Sequence, residues 1–251
     1  MSALEISLIA FALVFGGALL GMYVRNALPE HHLREDVKDV IRLSTGLIGT
    51  IAALVLGLLI ASAKSSFDAR NTQIKQITAN IILLDSLLGQ YGPDAHNLRV
   101  VLRGAIGPLV DRIWNEHDNG KSAPFVATAE AQAFVNKVQD LNPNNEAKRT
   151  LQAKVLSAVA DLAQARLSLF AQAHDSIPMP FVAILIFWLT VIFASFGLFV
   201  RVGPIVIITF LVGALSVSGA IFLILEMDQP FAGVLQISSE PLRDALAPLA
   251  P

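Results

Sequence analysis

Residues 43–63 read LSTGLIGTIAALVLGLLIASA, an uncharged run long enough to cross the ~30 Å hydrocarbon core of a bilayer as a helix rising ~1.5 Å per residue. No proline interrupts the chain from Leu43 to Leu88, so this membrane helix is predicted to continue unbroken into a polar extension. Within the apolar run, small and polar residues recur at Gly46, Thr50, Ala53, Gly57, Ala61 and Lys64. Steps of three and four place them on one helical face. Beyond Lys64 the pattern runs Phe67, Arg70, Ile74, Ile77, Ile81, Leu84 and Leu88, a heptad alternation in which Arg70 is the one charge. The helix is therefore expected to leave the bilayer as a stalk with an apolar seam.

Composition agrees with a membrane setting. Hydrophobic residues make up 54% of the 251 and charged residues 15%, against about a quarter charged in soluble domains. A net charge of -2 argues against a nucleic-acid partner, which calls for a basic surface. Cysteine is absent, which excludes disulfides, thiol catalysis and Cys-ligated zinc.

Three further apolar runs flank the first. Ala3 to Val24 lacks the basic start of a cleaved signal peptide and reads as a retained membrane helix, with Glu5 as a terminal residue snorkelling to the surface. Phe181 to Val200 and Ile205 to Leu225 are separated only by Arg201 to Pro204, which predicts an antiparallel hairpin. Gly213, Ser216, Ser218 and Gly219 give the last run a small-residue surface suited to close helix contact. Between the second and third runs the periodicity is helical throughout. Gly92 and Pro93 end the stalk and Asp94 is a candidate N-cap for a helix to about His117, with a kink expected at Gly104, Gly107 and Pro108. A shorter helix is expected over Val126 to Leu141. A last one carries Leu151, Val155, Ala158, Leu162, Ala165 and Leu169 at heptad spacing, which fits it to pack antiparallel on the stalk. The predicted architecture is an all-α membrane protein with four transmembrane helices and an α-helical extramembrane bundle inserted between the second and third. Its parts are residues 1–63, the bundle 64–176, the second membrane pair 177–227 and a tail 228–251 ending in an amphipathic segment.

Sidedness is argued from short loops, where Lys and Arg favour the cytoplasm. Arg25 to Arg42, in which Asp36, Val37, Val40 and Ile41 suggest a short interfacial helix, and Arg201 together hold five basic residues, against Arg243 alone on the opposite side apart from the bundle. This count places the bundle in the periplasm of a multi-pass inner-membrane protein.

Chemical motifs are sparse. His31 and His32 beside Glu30, Glu35 and Asp36 have metal-ligand residue types, but adjacent histidines seldom share a helical face, so a solvated loop is expected. Gly120, Lys121 and Ser122 resemble the end of a phosphate-binding loop, yet Asn115 stands where its first glycine belongs. Glu226 and Asp228 read as a solvated helix exit able to pair with Lys64 or Arg70. No catalytic constellation is present, so neither an enzyme nor a cofactor is expected.

Three blocks, GLIGTIAALVLGLLIASAKSSFDARNTQI, ITANIILLDSLLGQYG and ILEMDQPFAGVLQISSEPLRDAL, resemble in order a bacterial family of four-helix membrane proteins described as bestrophin-like. The segment LGLLIASAKSSFDARN is in turn similar to the end of the pore helix of bestrophins, which are pentameric anion channels. That resemblance implies a homo-oligomer, pentameric by analogy, with ions as partners alongside the bilayer. The small-residue face itself has two readings: it lets neighbouring helices approach closely, as Gly and Ala usually do in membranes, or, repeated around a symmetry axis, it lines a pore, with Gly46, Thr50, Ala53, Gly57, Ile60, Ala61, Lys64, Phe67 and Arg70 as candidates. The resemblance also implies a cytosolic bundle, opposite to the charge count. The sequence departs from bestrophins in having no aromatic residue between Leu43 and Ala63, Asn71 and Thr72 where bestrophins carry a tryptophan pair, and no acidic run for a calcium clasp. A neck would have to come from Leu54, Leu58, Ile60 or Phe67. The alternative is a non-conducting sensor or scaffold whose bundle binds a ligand or partner.

Overall fold

A computed structural model describes residues 2–27, 35–118, 129–172 and 177–244. The described residues are predominantly helical, with no strand among them. In order the helices are α1 (Ala3–Ala27), α2 (Glu35–Tyr91), a 3-10 turn at Pro93–Ala95, α3 (His96–Asp118), α4 (Ala129–Gln139), α5 (Glu146–Gln172), α6 (Met179–Phe199), α7 (Pro204–Asp228) and α8 (Glu240–Asp244). Helix α2 is unbroken over 57 residues. The separate interfacial helix expected near Asp36 is instead the first turns of α2, because nothing in EDVKDVIRLS breaks a helix before the apolar run begins. The histidine pair and the Gly120–Lys121–Ser122 motif lie outside the described residues.

The chain divides into two compact units. The first comprises Met1–Ser66 with Ile177–Asp228, and holds α1, the apolar part of α2, α6 and α7. All four helices are long and apolar enough to span a bilayer. Helix α1 begins with a capping box: the Glu5 amide donates to Ser2 Oγ at 3.2 Å and the Ser2 amide to Glu5 Oε2 at 3.0 Å. Glu5 thus satisfies a helix end. Helix α1 packs on both α6 and α7, and Gly17 and Gly21 make the close approach to α6 possible. A Cβ at Gly21 would run into the backbone carbonyl of Ala194, one at Gly17 would meet Thr190 at 2.9 Å, and one at Gly197 would strike the Ala18 carbonyl. Helices α6 and α7 are joined by the short turn but meet through side chains, with the Phe193 and Phe210 rings 6.2 Å apart and Phe193 filling the space beside Gly213. The close backbone approach is therefore made by α1 on α6. Of the small residues expected to serve it on α7, Ser218 is buried, Ser216 is exposed and Gly219 faces open space.

The second unit comprises Phe67–Ser176 with Gln229–Pro251. Its core has two parts. Leu84, Leu87, Leu88 and Tyr91 of α2 pack with Leu98 and Leu102 of α3, Phe134 and Val138 of α4, and Val155 and Ala158 of α5. Ile74, Ile77 and Ile81 pack with Ile106, Val110 and Ile113 of α3 and with Leu169 of α5. Late α2 thus meets early α5 and earlier α2 meets late α5, the antiparallel arrangement their matching heptads require. Gly92 closes α2 with φ of 101°, a left-handed conformation natural to glycine. Asp94 sits inside the 3-10 turn rather than capping α3, and accepts from Lys148 Nζ at 2.6 Å. Helix α3 passes Gly104, Gly107 and Pro108 as one element. Gln152 of α5 closes the end of α4 by donating to the carbonyls of Val138 (2.9 Å) and Leu141 (3.0 Å). Asn145 Oδ1 caps α5 by accepting from the Lys148 amide at 2.8 Å.

The C-terminal residues belong to this second core. Phe231, Ile237 and Leu242 are buried among Ile106, Val110 and Ile113. Trp114 fixes them, its ring edge-on to Phe231 at 5.5 Å and its Nε1 donating to the Ile237 carbonyl at 2.9 Å.

Candidate functional site

The buried positions of α2 outline one seam along its whole length: Thr45, Ala52, Leu59, Ala63, Arg70, Ile74, Ile77, Ile81, Leu84 and Leu88. Steps of three, four and seven keep them on one face. Ala52, Leu59 and Ala63 pack in the first unit with residues of α1, α6 and α7. The heptad legible beyond Lys64 thus begins inside the apolar run.

Gly46, Thr50, Ala53, Gly57, Ala61 and Lys64 occupy a different face, and all six are exposed. Ile60 borders it at 41% exposure. A Cβ at Gly46 or Gly57 would meet nothing within 4 Å. Gly46 and Gly57 therefore take no part in packing within the protomer, unlike Gly17, Gly21 and Gly197. Their polarity is subdued, because Thr50 Oγ1 donates to the Gly46 carbonyl at 3.0 Å. Phe67 and Arg70 stand apart from this face. Arg70 is only 4% exposed and belongs to the seam, about 120° around the helix from Lys64 at 3.6 residues per turn. Phe67 is half-buried against the second core. Asp68, one turn beyond Lys64, is exposed on the Lys64 side.

A buried ion cluster lies elsewhere. Asp85 is fully buried and held by two arginines of α3: Arg99 Nε and Nη2 donate to its two oxygens at 3.1 and 2.8 Å, and Arg103 Nε lies 3.4 Å away. Burial pushes its carboxyl up, but the hydrogen bonds and charges of Arg99 and Arg103 outweigh this and hold it below the ordinary aspartate range. The signal was available in the sequence as a lone acid inside LLDSLL and two arginines one turn apart on the next helix. At the end of α7, Glu226 is buried and Asp228 accepts from the Ile177 amide at 3.3 Å, which ties the helix end to the entry of α6, so the acids are not a freely solvated exit. Among the described residues no three histidine, aspartate or glutamate side chains converge as a metal site.

Four apolar spans and an all-helical architecture define a multi-pass membrane protein. The chain belongs to the Bestrophin-like family: the Bestrophin-like domain matches residues 12–242, nearly its full length. No curated protein and no solved structure matches it.

Proposed function

We propose that the protein is a homo-oligomeric ion channel in which the helix from Leu43 to Leu88 faces the symmetry axis. The observation that carries this reading is the exposed face of Gly46, Thr50, Ala53, Gly57 and Ala61, which spans the apolar segment and whose glycines have no packing role in the protomer. A face of small, weakly polar residues repeated around an axis leaves room for ions, and the exposed Lys64 at its end would favour anions. Family membership supports the reading. Pentameric assembly is taken from the likeness to bestrophins. Structure determination of the purified protein by cryo-electron microscopy tests it, combined with ion flux in reconstituted liposomes. The expected result is a ring with this face around a solvated axis and an anion flux that Lys64→Glu reduces relative to cations. A monomer or dimer with the face sealed in helix contacts, and no flux, overturns it.

We place the channel in the inner membrane, with residues 64–176 as an extramembrane bundle on the periplasmic side. The basic short loops support this, although bestrophins are oriented the other way. Because the chain lacks cysteine, a single Ser86→Cys substitution at an exposed position reports the side directly. Labelling by an impermeant maleimide in intact spheroplasts supports the periplasmic placement, and protection until lysis reverses it.

A second reading, a non-conducting sensor or scaffold, is favoured by the exposed apolar side chains Ile82, Leu83, Val100 and Val101 of the helical unit. Absence of flux from an intact oligomer, with partner binding lost on Val100→Asp, would select it.

A further inference from the structure

An apolar groove of about 430 Å³ lies where α6 turns into α7, walled by Phe196, Phe199, Val206, Thr209 and Phe210 and bordered by Arg42 of α2. Its volume lies within the range of ordinary small-ligand pockets, roughly 300–1,000 Å³. The walls come from the last turns of one membrane helix and the first turns of the next, so the groove starts at the membrane surface and descends about 8 Å, given ~1.5 Å per residue from Pro204 to Thr209. Thr209 offers the groove no free donor, since its hydroxyl donates to the Ile205 carbonyl at 2.9 Å.

The rim is cationic. The Arg42 guanidinium lies over the Phe199 ring, 5.7 Å from its centroid. Arg25 Nη1 donates to the Leu198 carbonyl at 3.2 Å, and Arg201 is exposed in the turn itself, so three arginines mark this one end of the four-helix unit. Among the described residues the acid in contact with Arg42 is Asp39, at a long 3.7 Å and open to solvent on both sides, a geometry that neutralises little. The Arg42 side chain remains 64% exposed, immediately before the apolar run that begins at Leu43.

We propose that this groove binds one anionic phospholipid, its phosphate on Arg42 and the upper part of an acyl chain between Phe199, Val206 and Phe210. Charge complementarity chooses the occupant: a second protein chain seated here would have to bury Arg42 with a matching acid, whereas an anionic headgroup satisfies it at the interface while the apolar walls take the chain. The proposal is independent of whether the protein conducts.

Native mass spectrometry of the full chain in detergent, titrated with dioleoyl phosphatidylglycerol or dioleoyl phosphatidylcholine, tests it. Phosphatidylglycerol is expected to be retained several-fold more strongly. Arg42→Gln is expected to bring it down to the phosphatidylcholine level, Arg42→Lys to keep most of the preference, and Thr209→Phe, which fills the groove, to weaken both lipids. Melting temperatures of the variants close to that of the parent show that they fold. Equal retention of the two lipids, or a preference unchanged in Arg42→Gln, overturns the proposal. So does disulfide cross-linking of two chains through Thr209→Cys in membranes, which would make the groove a contact between copies.

Discussion

Asp85 of α2 and Arg99 of α3 form a two-point ion pair, Nε to Oδ1 at 3.1 Å and Nη2 to Oδ2 at 2.8 Å, with the carboxylate fully buried and the guanidinium about a quarter exposed. The fork fixes more than distance. A bidentate pair sets the rotation of one helix about the other, and Arg103 adds a second cation to the same acid. The guanidinium of Arg99 also lies beside Gly89, where a would-be Cβ would meet it in ordinary van der Waals contact at 3.6 Å. The helical unit is thus registered by one buried acid near the far end of its longest helix.

Removing that acid takes the bidentate partner from Arg99 and one partner from Arg103 in a partly dry site. Asp85→Ala is expected to destabilise the helical unit by about 3 kcal/mol, the range found when one member of a buried pair is deleted. Arg103→Ala, with the bidentate partner intact, is expected to cost about 1 kcal/mol. Denaturant unfolding followed by Trp114 fluorescence measures both. Equal small losses for the two would show that Asp85 is not the centre of the cluster.

The same pair gives the fold an acid limit. Because the folded carboxyl of Asp85 titrates below its unfolded value, its contribution is fully present above the unfolded value of about 3.9. It falls away as pH drops below that toward the folded value. The stability difference between the parent and Asp85→Asn is therefore expected to be constant from pH 7 to pH 5 and to shrink below about pH 4. Using the difference removes the other carboxylates from the comparison. A gap that stays constant to pH 3 contradicts the assignment.

The C-terminal residues are expected to behave as core. Leu242→Ala opens a cavity at a fully buried position and should cost about 2–4 kcal/mol. Trp114→Phe keeps the ring against Phe231 but deletes the donor to the Ile237 carbonyl, for a loss of about 1 kcal/mol. Limited proteolysis reads the local effect: cleavage after Arg243 is expected to accelerate in Leu242→Ala well before the rest of the unit unfolds.

Periodicity made most of this architecture legible. The alternation from Ile74 to Leu88 and from Leu151 to Leu169 marks the residues that are buried against each other, because a helix that packs along one stripe must repeat its apolar positions at that stripe's spacing. Inside the bilayer this signal fades, since lipid-facing and protein-facing residues are equally apolar. Ala52, Leu59 and Ala63 are buried and Leu54 and Leu58 exposed, with nothing in their hydrophobicity to tell them apart. Glycine is ambiguous for a related reason. Gly21 and Gly57 look alike in sequence, yet one touches a neighbouring backbone and the other faces outward. Arg70 carries two signals at once: as a charge at the membrane exit it reads as a pore residue, while its heptad spacing is that of the buried seam, and within the protomer it is 4% exposed. The Ser2–Glu5 box and the Asp85 clamp were present as spacings, S-x-x-E and a lone acid facing two arginines, and needed only recognition.

That ambiguity among glycines is open to a direct contrast. Gly21→Leu would drive a side chain into the Ala194 carbonyl and force α1 from α6, so it is expected to destabilise the membrane unit by about 3 kcal/mol or to prevent its accumulation. Gly57→Leu places the same bulk in open space and is expected to leave the protomer's melting temperature within a degree or two, an effect of under about 0.5 kcal/mol. Its consequence belongs to the assembly. If the face around Gly57 lines an axis, five or so added leucines would constrict it, and liposome flux should drop while the oligomer survives detergent extraction. If the face is a helix contact between copies, the oligomer itself should dissociate. Gel filtration and flux on the one variant therefore separate a pore from an interface, since neither outcome can be produced by damage inside the protomer.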